Sequence, residues 1–394
     1  MTTHAPELIA LRRVLHSQPE LSSAEFQTTE MLVERLAVEG LSPRVLTTGT
    51  GLICDIDMDP DGASGPGRVV ALRADIDALA MDDLTDTPYR SRRPGVAHAC
   101  GHDVHTAAVL GAALALLDIR RTAPRPGVVR IIFEPSEEVV PGGAVDVIAE
   151  GGLDGVAAIY GLHCDPKLET GLLGLRSGPL TSAADMFEIT LSGPGGHTAR
   201  PDTTVDLVRW TGWIADRLAK VIRANTAGDV AVVFGAVHSG AAANVIPATA
   251  SLRGSFRAQD RDTWLQGERL VAEAVAHLVG ETGRGPHPTW SVDYVRGVPI
   301  VTNDPHTTET VRHVGTALLG PLAVVDTPQS MGGDSFAWYT DIVPGTYIRL
   351  GTHDPKDLGE RRDLHSATFD VDDEAIAIGA AVLASAALAS LGDR

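Results

Sequence analysis

The feature that most constrains this chain is an interruption. Segments that read as buried strand followed by helix run to about residue 183, give way to a different element order, and resume near residue 300. Val69 to Ala74 (VVALRA), Val128 to Phe133 (VVRIIF) and Ala157 to Leu162 (AAIYGL) are apolar runs of strand length. Between the first two, Val104 to Leu117 (VHTAAVLGAALALL) has the length and apolarity of a buried helix. Pro124, Pro126 and the Pro141-Gly142-Gly143 step mark the joints. From Ala184 the order becomes strand (DMFEITLSG), helix (TTVDLVRWTGWIADRLAKVIRA), two strands (DVAVVFGAVHSG and ATASLRGSFRA), helix (DTWLQGERLVAEAVAHLV) and strand (HPTWSVDYVRG). That βαββαβ order is the ferredoxin-like module. The expected fold is therefore α/β: a larger domain with a mixed sheet, split into 1–183 and 300–394, with a ferredoxin-like domain inserted over 184–299.

Composition narrows the class of function. With 32 Lys and Arg against 51 Asp and Glu, the net charge of -19 disfavours nonspecific attraction to nucleic acid or anionic lipid. Three cysteines (Cys54, Cys100 and Cys164) in 394 residues are too few for a disulfide framework and fit a reducing, cytoplasmic location. The N-terminal segment offers only the short apolar run LIAL before two arginines, so no secretory signal is expected. Ala375 to Leu391 is uncharged, but it follows the acidic cluster Asp370, Asp372, Asp373 and Glu374. Acidic residues suit the N-terminus of a helix, and the segment reads as a buried C-terminal helix rather than a membrane span. No G-x-G-x-x-G or phosphate-loop pattern points to a nucleotide cofactor.

In open α/β sheets, sites form beyond the carboxyl ends of the strands, and metal-binding residue types gather there. Asp75 and Asp77 follow the first strand; Glu134, Glu137 and Glu138 (FEPSEE) follow the second; His163 follows the third. The loop AHACGHDVH adds His98, Cys100, His102, Asp103 and His105 just before the apolar helix. In an extended loop Cys100 and His102 would face one ion together, and thiolate, imidazole and carboxylate suit Zn, Co, Mn or Ni better than Mg or Ca. A C-x-H step alone is common and reads equally as a buried cysteine beside a helix cap; its position beside a second acidic loop gives it weight. Adjacent glutamates can divide their roles, one as ligand and one as base. Taken singly, His163 reads as a core histidine, His365 as a surface one, and Glu137 and Glu138 as a solvated acidic loop.

Together, RADIDAL, HACGHDVHTA, FEPSEE, GLH, GPGGHTARP, NVIP and LHSATFD stand in an order and spacing that resemble one family of metal-dependent amidohydrolases and aminoacylases. It includes hippurate hydrolase, plant indole-acetyl-amino-acid hydrolases and bacterial N-acyl-amino-acid amidohydrolases. The N-terminal RRVLHSQPELSSAE extends the likeness over nearly the whole chain. The resemblance implies two divalent ions per chain, with Cys100, His102, Glu138, His163 and His365 at ligand positions and Glu137 as general base. It implies that Asp77 orients a liganding imidazole, that His197 reaches the active site of a second subunit in a homodimer or larger homo-oligomer, and that Asn244 and Arg257 hold the substrate carboxylate. Arg253 shares a strand face with Arg257 by period two; both also read as solvated strand residues, and His197 as an exposed turn histidine.

The implied activity is hydrolysis of the amide of N-acyl amino acids or related small amides. The alternatives are a dipeptidase or carboxypeptidase built on the same site, and a non-catalytic dimeric ligand-binding homologue. One departure from the family pattern favours the last: where relatives carry an acidic Glu-Asp-Phe step, this chain has Gly333, Asp334, Ser335 and Phe336 (MGGDSFAWY).

Overall fold

A computed structural model describes residues 3–61, 67–281, 286–357, 359 and 361–392. The chain divides into two compact units, one formed by Met1–Leu180, Val301–Pro328 and Ser335–Arg394, the other by Thr181–Ile300 and Gln329–Asp334. The smaller unit thus extends slightly beyond the expected 184–299. It also takes in a segment from the expected second part of the catalytic domain, because Ser182 donates to the Met331 carbonyl and Gln329 donates to the carbonyls of Thr181 and Gln259.

The larger unit opens with helices α1 (Ala5–Ser17) and α2 (Phe26–Val38) and strands β1 (Arg44–Val45), β2 (Leu52–Asp57) and β3 (Val69–Asp75). Helix α3 (His102–Thr122), β4 (Val128–Glu134), the short α4 (Ala144–Ala149), β5 (Val156–Glu169), β6 (Leu173–Leu175) and β7 (Gly178–Pro179) follow. The smaller unit holds β8 (Ala183–Ser192), β9 (Gly196–His197), α5 (Leu207–Ala224), β10 (Val230–Ser239), β11 (Val245–Ile246), β12 (Thr249–Ala258), α6 (Arg261–Leu265), α7 (Gly267–Gly280) and β13 (Thr289–Val298). The chain returns through β14 (Thr302–Asn303), α8 (Pro305–Leu319), β15 (Val324–Asp326), α9 (Phe336–Thr340), β16 (Gly345–His353) and α10 (Glu374–Gly392).

Eight strands of the larger unit form one mixed sheet in the order β1-β2-β4-β3-β5-β16-β6-β15, in which β4, β3, β5 and β16 run parallel. These central strands are the Val/Ile/Leu-rich runs of the sequence, buried on both faces as a parallel sheet requires. Asp75 and Glu134 end β3 and β4, whereas His163, expected just after its strand, lies within β5, because β5 runs on beside β16 past the point where its pairing with β3 stops. Helix α3 is almost entirely buried and packs along α10. Both are long and apolar enough to cross a membrane by composition, and in this fold 83% and 61% of their most apolar stretches are buried inside the protein.

The smaller unit is a four-stranded antiparallel sheet in the order β10-β12-β8-β13, the ferredoxin-like arrangement, with α5 and α7 packed together over its apolar face. Along β8, burial alternates strictly from Ala183, the period-two pattern of a sheet covered on one face.

Candidate functional site

The loop before α3 brings the first two site residues together. Cys100 and His102 do not lie on extended backbone: His102 begins α3, and Gly101 caps it at φ 87°. A side chain at Gly101 would meet the Cys164 Sγ at 2.7 Å, so both the left-handed turn and the close approach to β5 call for glycine. Cys100 and His102 are buried, as is His163 on β5. The Cys100 Sγ lies 3.5 Å from the His163 Nε2.

Two groups of side chains share Cys100. In one, Cys100, His102 and His163 place their donor atoms within 4.8 Å of one another; in the other, Cys100, Glu138 and His365 do so. His365 is brought in by its own backbone, whose N–H donates to the Ala99 carbonyl at 2.8 Å, and its φ of 59° is a left-handed conformation uncommon outside glycine. Glu137 and Glu138 both approach the His102 Nε2, at 3.9 and 3.8 Å. They differ in their other partners. Glu138 lies 3.4 Å from the His365 Nε2, whereas Glu137 accepts from the Ser335 N–H at 3.3 Å.

His102 and His163 are each oriented by the second ring nitrogen. The His102 Nδ1 donates to the Asp77 carbonyl at 2.9 Å and lies 3.2 Å from the Asp77 Oδ1, while the His163 Nδ1 donates to the Cys164 carbonyl at 2.7 Å. Both rings therefore turn Nε2 inward, the arrangement typical of liganding histidines. Asp77 also accepts from the Ser22 hydroxyl and the Glu138 N–H. Among the described residues, the buried His102 Nε2 and Glu138 Oε1 have no hydrogen-bond partner.

This donor set fits a pair of cations. Burial and then the Glu138 carboxylate push the Cys100 thiol well above its ordinary value. Burial works against protonation of His102, yet the charges of Asp75 and Cys100 raise it well above the usual imidazole range. A proton is thus drawn to the place where a cation would sit, and a divalent ion would release it and ionise the thiol.

Beneath this cluster lies a network that the sequence did not announce. The fully buried Arg73 pairs with Glu134 and Asp75, each at 2.6 Å, and donates to the Ser335 hydroxyl at 2.9 Å. The Ser335 and Tyr339 hydroxyls both donate to Glu134. Ser335 is therefore built into the site, touching Glu137 through its backbone and Glu134 through its side chain.

His197, Asn244 and Arg257 belong to the smaller unit. His197 on β9 pairs with Val245 on β11, which sets Asn244 beside it, and both are exposed. The Ala199 N–H donates to the His197 Nδ1 at 3.0 Å, which leaves the proton on the outward Nε2. Arg257 donates to the Met331 carbonyl at 2.9 Å; among the described residues no carboxylate pairs with it. Arg253, on the same strand face, pairs with Glu188 at 3.1 Å and is a solvated strand residue.

The model of peptidase family M20/M25/M40 matches residues 71–389. The chain belongs to this family. It is a metal-dependent amidohydrolase. It is 34% identical over 378 residues to an N-acetyl-L-cysteine deacetylase of Bacillus subtilis, covering 95% of this chain and 86% of that protein. A Rhodococcus jostii protein named as glutamate–cysteine ligase 2-3 is 41% identical over 379 residues; the match covers 96% of this chain, which spans only 46% of that relative's length. Among solved structures, the YxeP protein of Bacillus subtilis, described as a dinuclear metal binding peptidase of family M20, aligns over 98% of both chains with 31% identity and a TM-score of 0.79.

Proposed function

We propose that this M20 hydrolase cleaves the amide bond of N-acyl amino acids or closely related small amides. The observation that carries the reading is the pair of three-residue donor groups sharing Cys100. Cys100, His102, Glu138, His163 and His365 would hold two ions; among Zn, Mn, Co and Ni the donor types favour no single ion. When bound, the ions supply Lewis acidity to the scissile carbonyl and make water a better nucleophile.

The chain's own residues do the rest. Glu137 takes the proton of the attacking water on its carboxylate and delivers it to the leaving amine nitrogen. The Ser335 N–H at 3.3 Å holds that carboxylate in place. Asp77 keeps the His102 Nδ1 protonated, so the His102 Nε2 keeps its lone pair for an ion. His197, with its proton on Nε2, donates to the carbonyl oxygen as negative charge grows there. In this account it acts from the second subunit of a homodimer. Arg257 with Asn244 grips the substrate carboxylate. A cytoplasmic setting accords with the three free, buried cysteines.

The family description and that of the YxeP structure favour a second reading, peptidase activity on small peptides through the same site. The test is a panel of N-acetyl and N-benzoyl amino acids beside dipeptides, assayed on chain reloaded separately with Zn, Mn, Co and Ni. Preference for the N-acyl amino acids supports the proposal, and preference for dipeptides replaces it with the peptidase.

A further inference from the structure

Three imidazoles crowd the end of the parallel strands: the ring centroid of His105 lies 5.3 Å from that of His102 and 5.0 Å from that of His163. Asp75, His102 and His105 also bring donor atoms within 4.8 Å of one another, so His105 could be taken for a further ligand. Its hydrogen bonds argue otherwise. The His105 Nδ1 donates to the Asp75 Oδ1 at 2.6 Å, and its Nε2 accepts the Cys164 N–H at 2.9 Å. With one nitrogen protonated and the lone pair of the other facing an amide hydrogen, neither is left for an ion.

We propose that His105 is a positioning residue, which holds the candidate ligand His163 in place by clamping the backbone of Cys164. Pairing between β3 and β5 stops at Arg73 and Gly161. Beyond that point His105 supplies the acceptor for the Cys164 N–H. The carbonyl of the same residue accepts from the His163 Nδ1 at 2.7 Å, which aims the Nε2 at Cys100. One residue's backbone is thus gripped by His105 on its N–H side while it orients His163 on its carbonyl side. Asp75 is in turn held by Arg73, itself fixed by Glu134 and Ser335, so the clamp has a rigid footing.

The inference rests on the proposed ligand role of His163, and the test separates the two. Metal-stripped full-length chain is titrated calorimetrically with Mn(II) alone. The unsubstituted chain is expected to take up two ions, and His163→Ala to lose one step. His105→Leu, which can neither donate nor accept, should weaken that same step by about 10–100-fold and leave the other within about threefold. His105→Gln, whose amide can donate to Asp75 and accept from Cys164, should keep both steps within about threefold. A merely structural role would loosen both steps together, and that result overturns the proposal. If His163→Ala loses a step and His105→Leu keeps both, the clamp alone is wrong; if His163→Ala keeps both, the ligand assignment fails and takes the clamp with it. Should His105→Leu not fold, the imidazole ¹⁵N spectrum of the unsubstituted metal-free chain decides. A proton on the His105 Nδ1 with an accepting Nε2 is expected, and a proton on Nε2 overturns the proposal.

Discussion

The Arg12 Nε stands 2.8 Å from the Asp103 Oδ2 with both side chains fully buried, and the same guanidinium reaches Asp370 at 2.9 Å. Helix α1 is thereby tied to the first turn of α3, directly after the Cys100 loop, and to the segment between His365 and α10. Asp103 is held well below the usual carboxylate range: burial alone would raise it, and the neighbouring charges of Arg12 and His16 outweigh burial. Removing the guanidinium would leave the buried Asp103 carboxylate with His16 as its remaining cationic partner. Arg12→Met is expected to destabilise the metal-free chain by about 3–5 kcal/mol, read from denaturant unfolding. A loss under about 1 kcal/mol would make this pair no more than a surface-type ion pair.

His16 gives the fold a pH dependence of definite sign. Burial lowers its affinity for a proton, but Asp103, 2.8 Å away, and Asp83 raise it, and the balance pushes the imidazole up to about 9. In the unfolded chain it titrates near 6.5. The folded state therefore holds this proton more tightly, so the stabilisation is fully present below about pH 6.5 and is lost as pH rises through about 9. Unfolding free energy should fall by roughly 2–4 kcal/mol across that window from this group alone. His16→Gln should remove most of that fall, whereas an equal pH dependence in both chains would place its source elsewhere.

The parallel strands are legible because runs such as VVALRA and VVRIIF have few other ways to be buried, and most candidate site residues follow these runs directly. The candidate ligands were legible by residue type. The turn that presents Cys100 and His102 was not, because the contact that shapes it, between Gly101 and Cys164, spans the fold. Nothing local marks Arg73, Glu134 and Ser335 as partners, since a buried ion network joining residues up to 262 positions apart leaves no periodic trace. Nothing in the sequence around Arg12 marks it as enclosed, and only the fold shows that it is.

Glu137→Gln should retain the ions and lose turnover by about a hundredfold or more, the usual share of a general base. His197→Ala should also be inactive or nearly so. If the histidine acts from the partner subunit, mixing the two inactive chains under exchanging conditions should restore part of the activity, because a mixed dimer contains one site with both residues intact. No recovery, with exchange shown by labelled subunits, would assign His197 to its own chain or to no role.

Arg257 is half-buried, and burial depresses its proton affinity. A guanidinium so placed, without a carboxylate partner among the described residues, suits an anionic ligand. Arg257→Ala should raise KM and lower kcat for an N-acyl amino acid, and should change far less on the corresponding amide or methyl ester. An equal loss on both substrates would leave Arg257 as a structural strand residue.

Counting the ions bound per chain tests the proposal that Cys100, His102, Glu138, His163 and His365 would hold two ions. Metal-stripped wild type, Cys100→Ala and His365→Ala would be dialysed against equal Mn(II) and analysed for metal content. Two ions in wild type and fewer in both His365→Ala and Cys100→Ala is the result expected of these donor groups. Two ions retained in Cys100→Ala at wild-type affinity would contradict it.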